Sequence, residues 1–215
     1  QILTAAHVCD AILGQGGIQN WEVIAGEHGG FGYPPRQIKR AAMMPLYRGA
    51  ILDKFTRDIG VITITDTYDP SLVTEFGEFD SETFSNQIYS WVGYPSDKIP
   101  SERDVYQWHD YGKPDSLDYF YFYNQPGEQG ERRWVVDGYF KNLAAQGQSG
   151  SALINESGKI IGVLSSLTYD PGPHYGQLVF GLIDEINFEF IYYEIMNNLE
   201  DSRDRRLSSN RTKSR

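Results

Sequence analysis

Short β-forming segments, each ended by turn residues, constrain the fold of this chain more than any other feature of its sequence. Residues 59–64, 87–92 and 160–164 are rich in β-branched or aromatic side chains. Glycine, proline, asparagine and aspartate separate such segments at intervals of roughly ten to fifteen residues, the pattern of a β-barrel or β-sandwich. By the same criteria, we expect further strands at residues 21–25, 117–123, 134–136 and 151–154.

A single helix is predicted, close to the end of the chain. Between residues 184 and 199, apolar residues recur at three- and four-residue steps behind an acidic first turn. The 215 residues suit one compact domain or two small halves, and residues 66–82 are the best candidate for a linker. No run of 18 apolar residues occurs, so we expect no membrane-spanning helix.

The net charge of -10 is unevenly distributed along the chain. Residues 201–215 carry six basic and two acidic side chains, a net of +4, which leaves 13 basic and 27 acidic side chains, a net of -14, for residues 1–200. Nucleic-acid binding needs a basic face, so the acidic body argues against it. With Leu207 as its one apolar residue, the tail at 200–215 is expected to be disordered.

Three motifs supply the components of an activated hydroxyl, in the order histidine, aspartate, serine. His7 follows an apolar segment that ends in small residues, Asp58 precedes the strand at 59–64, and Ser149 lies in a glycine-flanked turn. Serine is a weak nucleophile that needs an imidazole to accept its proton, and the imidazole needs a carboxylate to orient it. The glycines allow the amides of Gly147 and Ser149 to converge on an oxyanion. We therefore predict His7, Asp58 and Ser149 as catalytic residues.

In this order, the segments T-A-A-H at 4–7, D-I-G-V-I at 58–62 and G-Q-S-G-S at 147–151 resemble the chymotrypsin/trypsin-like serine peptidase family. The G-x-S-G-S form and G-Y-P at 93–95 resemble its glutamyl-endopeptidase branch. The resemblance implies an all-β fold of two perpendicular six-stranded β-barrels with a C-terminal α-helix.

This resemblance also implies a division of the chain. Residues 1–84 would form an N-terminal barrel carrying His7 and Asp58, and 85–183 a C-terminal barrel carrying the nucleophile. The helix at 184–199 and the tail at 200–215 would follow. Because the family has strands before its catalytic histidine, we interpret the chain as N-terminally truncated and its first barrel as incomplete. A signal peptide would be lost with that part, and the protein would be secreted.

The resemblance further assigns a substrate pocket to Leu143, Ala144, Leu164 and Ser165. Leu143 stands where members that cleave after Arg or Lys have an aspartate, and Leu164 stands where glutamyl endopeptidases have a histidine. We therefore expect an apolar pocket. Ser165 matches a serine that supports the catalytic aspartate. Gln148 replaces the aspartate that pairs with a new N-terminal ammonium in zymogen-activated members, so no such ion pair is expected.

Two functions remain open from the sequence. One is a secreted serine endopeptidase with protein or peptide substrates and protein inhibitors as partners, and the other is a catalytically silent peptidase fold that only binds. We expect no cofactor and no metal, because His28, His109 and His174 lack metal-ligand spacing. Cys9 is either paired with a cysteine in the missing part or a buried free thiol.

Overall fold

The computed structural model describes residues 1–26, 28, 31–45, 57–66, 68–69, 74–95, 107–122, 133–140, 147–167 and 177–212. These residues form two antiparallel sheets and three α-helices. The all-β class expected from the sequence is confirmed.

The first sheet holds four strands in the described part of the chain. In chain order the elements are β1 (Ile2–Thr4), α1 (Ala6–Gly14), β2 (Glu22–Val23), β3 (Arg36–Met43) and β4 (Gly60–Ile64), and the strand order is β1-β4-β3-β2. α1 packs across β3 and β4, where Cys9 and Ile12 meet Ile38 and Ile62 in an apolar cluster. This packing holds the start of α1 near Asp58, which lies two residues before β4.

The second sheet holds seven strands and follows a short helix, α2 (Ser81–Phe84). The strands are β5 (Tyr89–Gly93), β6 (Trp108–Gly112), β7 (Ser116–Phe122), β8 (Arg133–Phe140), β9 (Ala152–Ile154), β10 (Ile160–Leu167) and β11 (Leu178–Leu182). Their order is β6-β5-β9-β10-β11-β8-β7. A buried aromatic cluster fills the sheet, comprising Phe84, Tyr89, Trp91, Phe140 and Phe180.

The edge strands of the second sheet show that it closes on itself. β6 and β7 stand at opposite edges, yet only residues 113–115 join them. That connection spans at most about 14 Å, whereas seven strands laid flat would be about 29 Å wide. The sheet must therefore curl, so that the end of β6 and the start of β7 lie within this distance of each other. They act as two halves of one broken barrel strand, which reconciles seven segments with the expected six-stranded barrel.

The terminal helix corrects one expectation. α3 runs over Glu185–Thr212, so residues 200–212 are helical where a disordered tail was predicted from residue 200. The expectation rested on the lack of apolar residues, but a helix that has already formed adds residues without a new nucleation cost. No glycine or proline follows residue 181 to stop it. Its start is fixed by Asp184, whose Oδ1 accepts from the backbone amide of Asn187 at 2.9 Å.

No helix within the described ranges combines the length and apolar character that a membrane crossing requires.

Candidate active site

His7 and Asp58 meet where α1 begins and β4 is about to begin. The backbone amide of His7 donates to Asp58 Oδ1 at 2.8 Å, and His7 Nδ1 lies 2.6 Å from Asp58 Oδ2. Because a carboxylate only accepts, Nδ1 must donate its hydrogen. The imidazole is thereby held in the tautomer that leaves Nε2 able to accept a proton.

Ser165 on β10 completes the surroundings of the aspartate. Its hydroxyl donates to Asp58 Oδ2 at 2.5 Å. The Asp58 side chain is only 4% exposed, whereas the His7 side chain is 36% exposed. A buried carboxylate is costly unless its oxygens are hydrogen-bonded. Two donors from His7 and one from Ser165 meet that requirement and link the two sheets through a single side chain.

The turn that carries Ser149 is closed by hydrogen bonds to one carbonyl. The backbone amide of Ser151 donates to Gln148 O at 3.0 Å, and Ser151 Oγ donates to the same oxygen at 2.6 Å. In a trans peptide, the carbonyl of one residue and the amide of the next point in opposite directions. Because the Gln148 carbonyl points to the buried Ser151, the amide of the exposed Ser149 points away from it.

Two amide donors of this turn are available. Within the described ranges, the amides of Gly147 and Ser149 have no acceptor. Gly147 has a φ of 91°, in the left-handed region that glycine adopts without strain. Two unengaged backbone donors in one short turn, one of them on the exposed Ser149 itself, are suitable partners for a negatively charged oxygen.

Contacts of Gly150 join the serine turn to the histidine side of the site. Its amide donates to Leu164 O at 2.8 Å, one residue before Ser165. With φ at 87°, its α-carbon faces Thr4 and Ala5, just ahead of His7. A Cβ there would overlap Thr4 Oγ1 and lie 3.3 Å from Ala5 N. Only glycine allows the turn this close to the start of α1.

A second glycine makes room beneath the turn. A Cβ on Gly93, the last residue of β5, would overlap Ser151 Oγ and lie 3.2 Å from Gln148 Cγ. Both of those side chains are buried. Gln148 is therefore packed against β5, and the uncharged side chains of Gln148 and Ser151 are the contacts between the turn and this strand. The sequence singled out neither Gly93 nor Ser151 for this role, although glycine before Tyr-Pro is a signal for close backbone approach.

Expectations for the substrate pocket are only partly covered by the structure. Leu143 and Ala144 lie outside the described residues, as does His174. Leu164 is buried in the apolar core of the second sheet. The apolar pocket stays a prediction. Among the described residues, no group of three or more His, Cys, Asp or Glu side chains could hold a metal ion.

Cys9 is a buried free thiol on α1. Its Sγ packs on Gly60, where a Cβ would lie 2.6 Å from the sulfur. Burial, with a smaller contribution from the charge of Asp58, raises the pKa of Cys9 to about 12. The thiol is therefore protonated near neutral pH and takes no part in nucleophilic chemistry.

Comparisons with known proteins found similar sequences and similar folds. A family model described as Trypsin matches residues 1–178. A solved Glu endopeptidase in complex with MPD is similar, with a TM-score of 0.67 and 16% identity over 89% of this chain and 79% of that one. Neuropsin, a serine protease expressed in the limbic system of mouse brain, has a TM-score of 0.55 and 18% identity over 90% of this chain and 83% of its own. A search among curated proteins found no significant match.

Proposed function

The chain belongs to the trypsin family of serine endopeptidases, and from that membership we propose that it cleaves peptide bonds through His7, Asp58 and Ser149. The observation that carries the proposal is the pairing of His7 Nδ1 with the buried Asp58, at 2.6 Å. That pairing leaves Nε2 as the ring nitrogen that can accept the proton of a nucleophile.

In the proposed reaction, Ser149 Oγ attacks the scissile carbonyl carbon and its proton passes to His7 Nε2. The resulting oxyanion accepts hydrogen bonds from the amides of Gly147 and Ser149. Collapse breaks the carbon–nitrogen bond, and His7 Nε2 gives its proton to the departing amine. Water then attacks the ester on Ser149 with His7 again as the base, which releases the acid product and restores the hydroxyl.

The oxyanion donors are proposed to need no ion pair for their orientation. Gln148 carries no charge that could bind an N-terminal ammonium, and Ser151 holds the Gln148 carbonyl instead, at 2.6 Å. The hydroxyl thus does the orienting that an acid–ammonium pair does in zymogen-activated members. This arrangement favours an enzyme whose catalytic turn is formed as soon as the chain folds.

The substrates of the family are proteins or peptides, and we propose a primary pocket that is formed by Leu143, Ala144, Leu164 and Ser165 and carries no charge. If the bottom of the pocket carries no charge, the side chain of an Arg, Lys or Glu residue finds no ion-pair partner in it. Burying such an unpaired charge in the pocket is costly. Secretion and binding of protein inhibitors are part of the same proposal.

A panel of fluorogenic peptides that differ only before the scissile bond tests the proposal. We expect the highest kcat/KM after Leu, Met or Phe, and no turnover by Ser149→Ala. Preferred cleavage after Arg, Lys or Glu would contradict the apolar pocket while leaving the peptidase assignment in place. Failure of the folded protein to hydrolyse any peptide in the panel would instead favour the catalytically silent binding protein.

A further inference from the structure

The turn between β9 and β10 carries a motif that the proposed peptidase chemistry does not use. Asn155, Glu156 and Ser157 form an Asn-X-Ser triplet, the acceptor pattern for N-linked glycosylation. Such triplets also arise by chance, and a second one occurs at residues 210–212. Whether a triplet can carry a glycan therefore depends on the geometry and the accessibility of its asparagine.

The side-chain oxygen of Asn155 is fixed by three donors within its own turn. Oδ1 accepts from the backbone amides of Ser157 and Lys159, at 3.1 and 2.9 Å, and from the Ser157 hydroxyl at 2.8 Å. Because a backbone amide can only donate, the atom that faces these groups must be the oxygen of the carboxamide. The two side chains that define the triplet are thus in direct contact.

This arrangement leaves the carboxamide nitrogen of Asn155 available. Oxygen and nitrogen lie on different sides of Cγ in a planar carboxamide, so Nδ2 points away from the three donors. Within the described ranges Nδ2 donates to no acceptor, and it does not belong to the buried side-chain atoms that lack a partner. A polar atom that is neither bonded nor buried is in contact with solvent. Nδ2 is therefore open to a bulky substituent.

The turn stands clear of the core. Residues 156–159 are exposed, and a Cβ on Gly158 would meet no heavy atom of the described chain within 4 Å. Local backbone bonds close the turn, from the Asn155 amide to Lys159 O at 3.0 Å and from the Gly158 amide to Asn155 O at 2.9 Å. A glycan at this position therefore displaces no packed side chain.

We propose that Asn155 is an N-glycosylation site, occupied when the protein passes through a secretory pathway. The inference rests on the secretion proposed above and is independent of the catalytic residues. The donor is an oligosaccharide diphosphate carried on a lipid. A bond forms between Asn155 Nδ2 and the anomeric carbon of the first sugar, while the bond from that carbon to the diphosphate oxygen breaks. Nδ2 loses one proton, and the diphosphate leaves with the bonding electron pair.

β9 separates this site from the proposed nucleophile. Ser149 lies three residues before Ala152, the first residue of β9, whereas Asn155 directly follows Ile154, its last residue. The glycan would emerge at the opposite end of this strand from the catalytic turn. We therefore expect it to leave the cleavage of short peptides unaffected.

Secretion of the full chain from a eukaryotic host, behind a cleavable signal peptide, tests the site. Peptide-N-glycosidase F should increase the electrophoretic mobility of the product and convert Asn155 to aspartate, which peptide mass mapping detects. Asn155→Asp is the decisive variant, because a carboxylate oxygen can accept the same three hydrogen bonds but has no nitrogen to carry a sugar. We expect it to lose the glycan and to match the thermal unfolding of the deglycosylated wild type.

Variants of the hydroxyl residue supply the controls. Ser157→Ala should also lose the glycan, whereas Ser157→Thr should keep it because a hydroxyl remains at this position. Thr212→Ala removes the triplet at residues 210–212 and should leave the glycan on Asn155 in place.

Absence of a glycan on Asn155 in the folded wild type would overturn the site. A glycan that maps only to residue 210, or one that persists in Ser157→Ala, would overturn it too. Protein retained inside the host is mapped in the same way, since the sugar is transferred before export. Failure of the peptidase function is a separate result, because kcat/KM on the fluorogenic peptides reports it whether or not Asn155 is glycosylated.

Discussion

Individual residues in this site act mainly by fixing one another. Asp58 touches neither the proposed nucleophile nor the oxyanion donors, yet it sets the tautomer of His7, and Ser165 in turn holds Asp58. Ser151 acts in the same indirect way on the amide of Ser149. The residue-scale account is therefore tested best at a positioning residue whose loss leaves the fold intact.

Replacing Ser151 with alanine should lower kcat and change KM little. The backbone bond from residue 151 to Gln148 O still closes the turn, but the 2.6 Å hydroxyl bond that orients the carbonyl is lost. One such bond contributes about 1 kcal/mol, which corresponds to about a fivefold fall when it supports only the transition state. Ser157→Ala, in the exposed 155–158 turn, is the control. A Ser151→Ala enzyme with wild-type kcat would refute this role.

Among the residues of the candidate site, the sequence could identify those that lie in short, recognisable motifs. His7 and Asp58 are predictable because a few neighbouring residues place each of them next to the start of a helix or strand. Ser165 lies within β10 and was assigned from the family resemblance alone. The packing of Gly93 on Ser151 joins segments almost sixty positions apart, and no spacing rule links them.

Elements of the fold differ in how strongly the sequence encodes them. β4, β5, β7 and β10 were expected because their β-branched and aromatic residues are dense. β3 was missed, since R-Q-I-K-R-A-A-M has few such residues and becomes a strand through its pairing with β4 and the cover of α1. α1 was missed too, although its buried Ala6, Cys9 and Ile12 recur every three residues. That interval was the available signal.

The packing of α1 makes stability depend on the ionisation of Cys9. Burial raises the pKa of this thiol from 9.0 to about 12. The folded state therefore holds the proton more tightly than the unfolded state. The protonated thiol therefore contributes its full stabilisation below about pH 9, and this stabilisation is lost as the pH rises from 9 toward 12.

We expect the free energy of unfolding of the wild type to fall more steeply than that of Cys9→Ala above pH 9, by up to about 1.4 kcal/mol per pH unit. Urea denaturation at a series of pH values measures the difference. Iodoacetamide should modify the thiol only after unfolding. Parallel pH profiles for the two proteins, or rapid modification of the folded protein at pH 8, would be inconsistent with this burial.

The docking of α3 on the first sheet depends on a paired carboxylate. Glu194 is buried and meets the half-exposed Arg40 of β3 through two bonds, at 2.8 and 3.0 Å, while the Gln1 side chain donates to its backbone oxygen at 2.8 Å. Arg40→Ala leaves the buried charge of Glu194 without its partner, and we expect it to lower the free energy of unfolding by about 2 kcal/mol. The loss is smaller than for a fully buried ion pair because the Arg40 side chain is half exposed. The double variant Arg40→Met/Glu194→Leu should recover most of that loss in urea denaturation. Equal destabilisation by both variants would argue against a buried-charge penalty.

The whole molecule combines a mostly β architecture with a strongly acidic body. The family motifs predicted the two-barrel class, but the length of α3 could not be predicted from the burial argument applied to the tail. Residues 1–200 have a net charge of -14. Such a charge attracts cationic partners over about one Debye length, which is near 10 Å at 0.1 M salt.

Salt should therefore weaken the use of basic substrates more than that of neutral ones. For peptides with the same residues at the scissile bond, we expect kcat/KM of a lysine-rich version to fall several-fold between about 20 mM and about 500 mM NaCl. An uncharged version should change little. Identical salt dependence for the two peptides would mean that the acidic body does not influence substrate capture.

Labelling by a fluorophosphonate probe is the most direct test of the central claim that Ser149 is a nucleophile activated by His7 and Asp58. The activated hydroxyl displaces fluoride and keeps the phosphonyl group, which intact-mass analysis detects as a single adduct. We predict one adduct on the folded wild type, mapped to the peptide that contains Ser149, none on Ser149→Ala, and greatly slowed labelling of His7→Ala. Absence of labelling on the folded wild-type protein, or equal labelling of Ser149→Ala, would contradict the account.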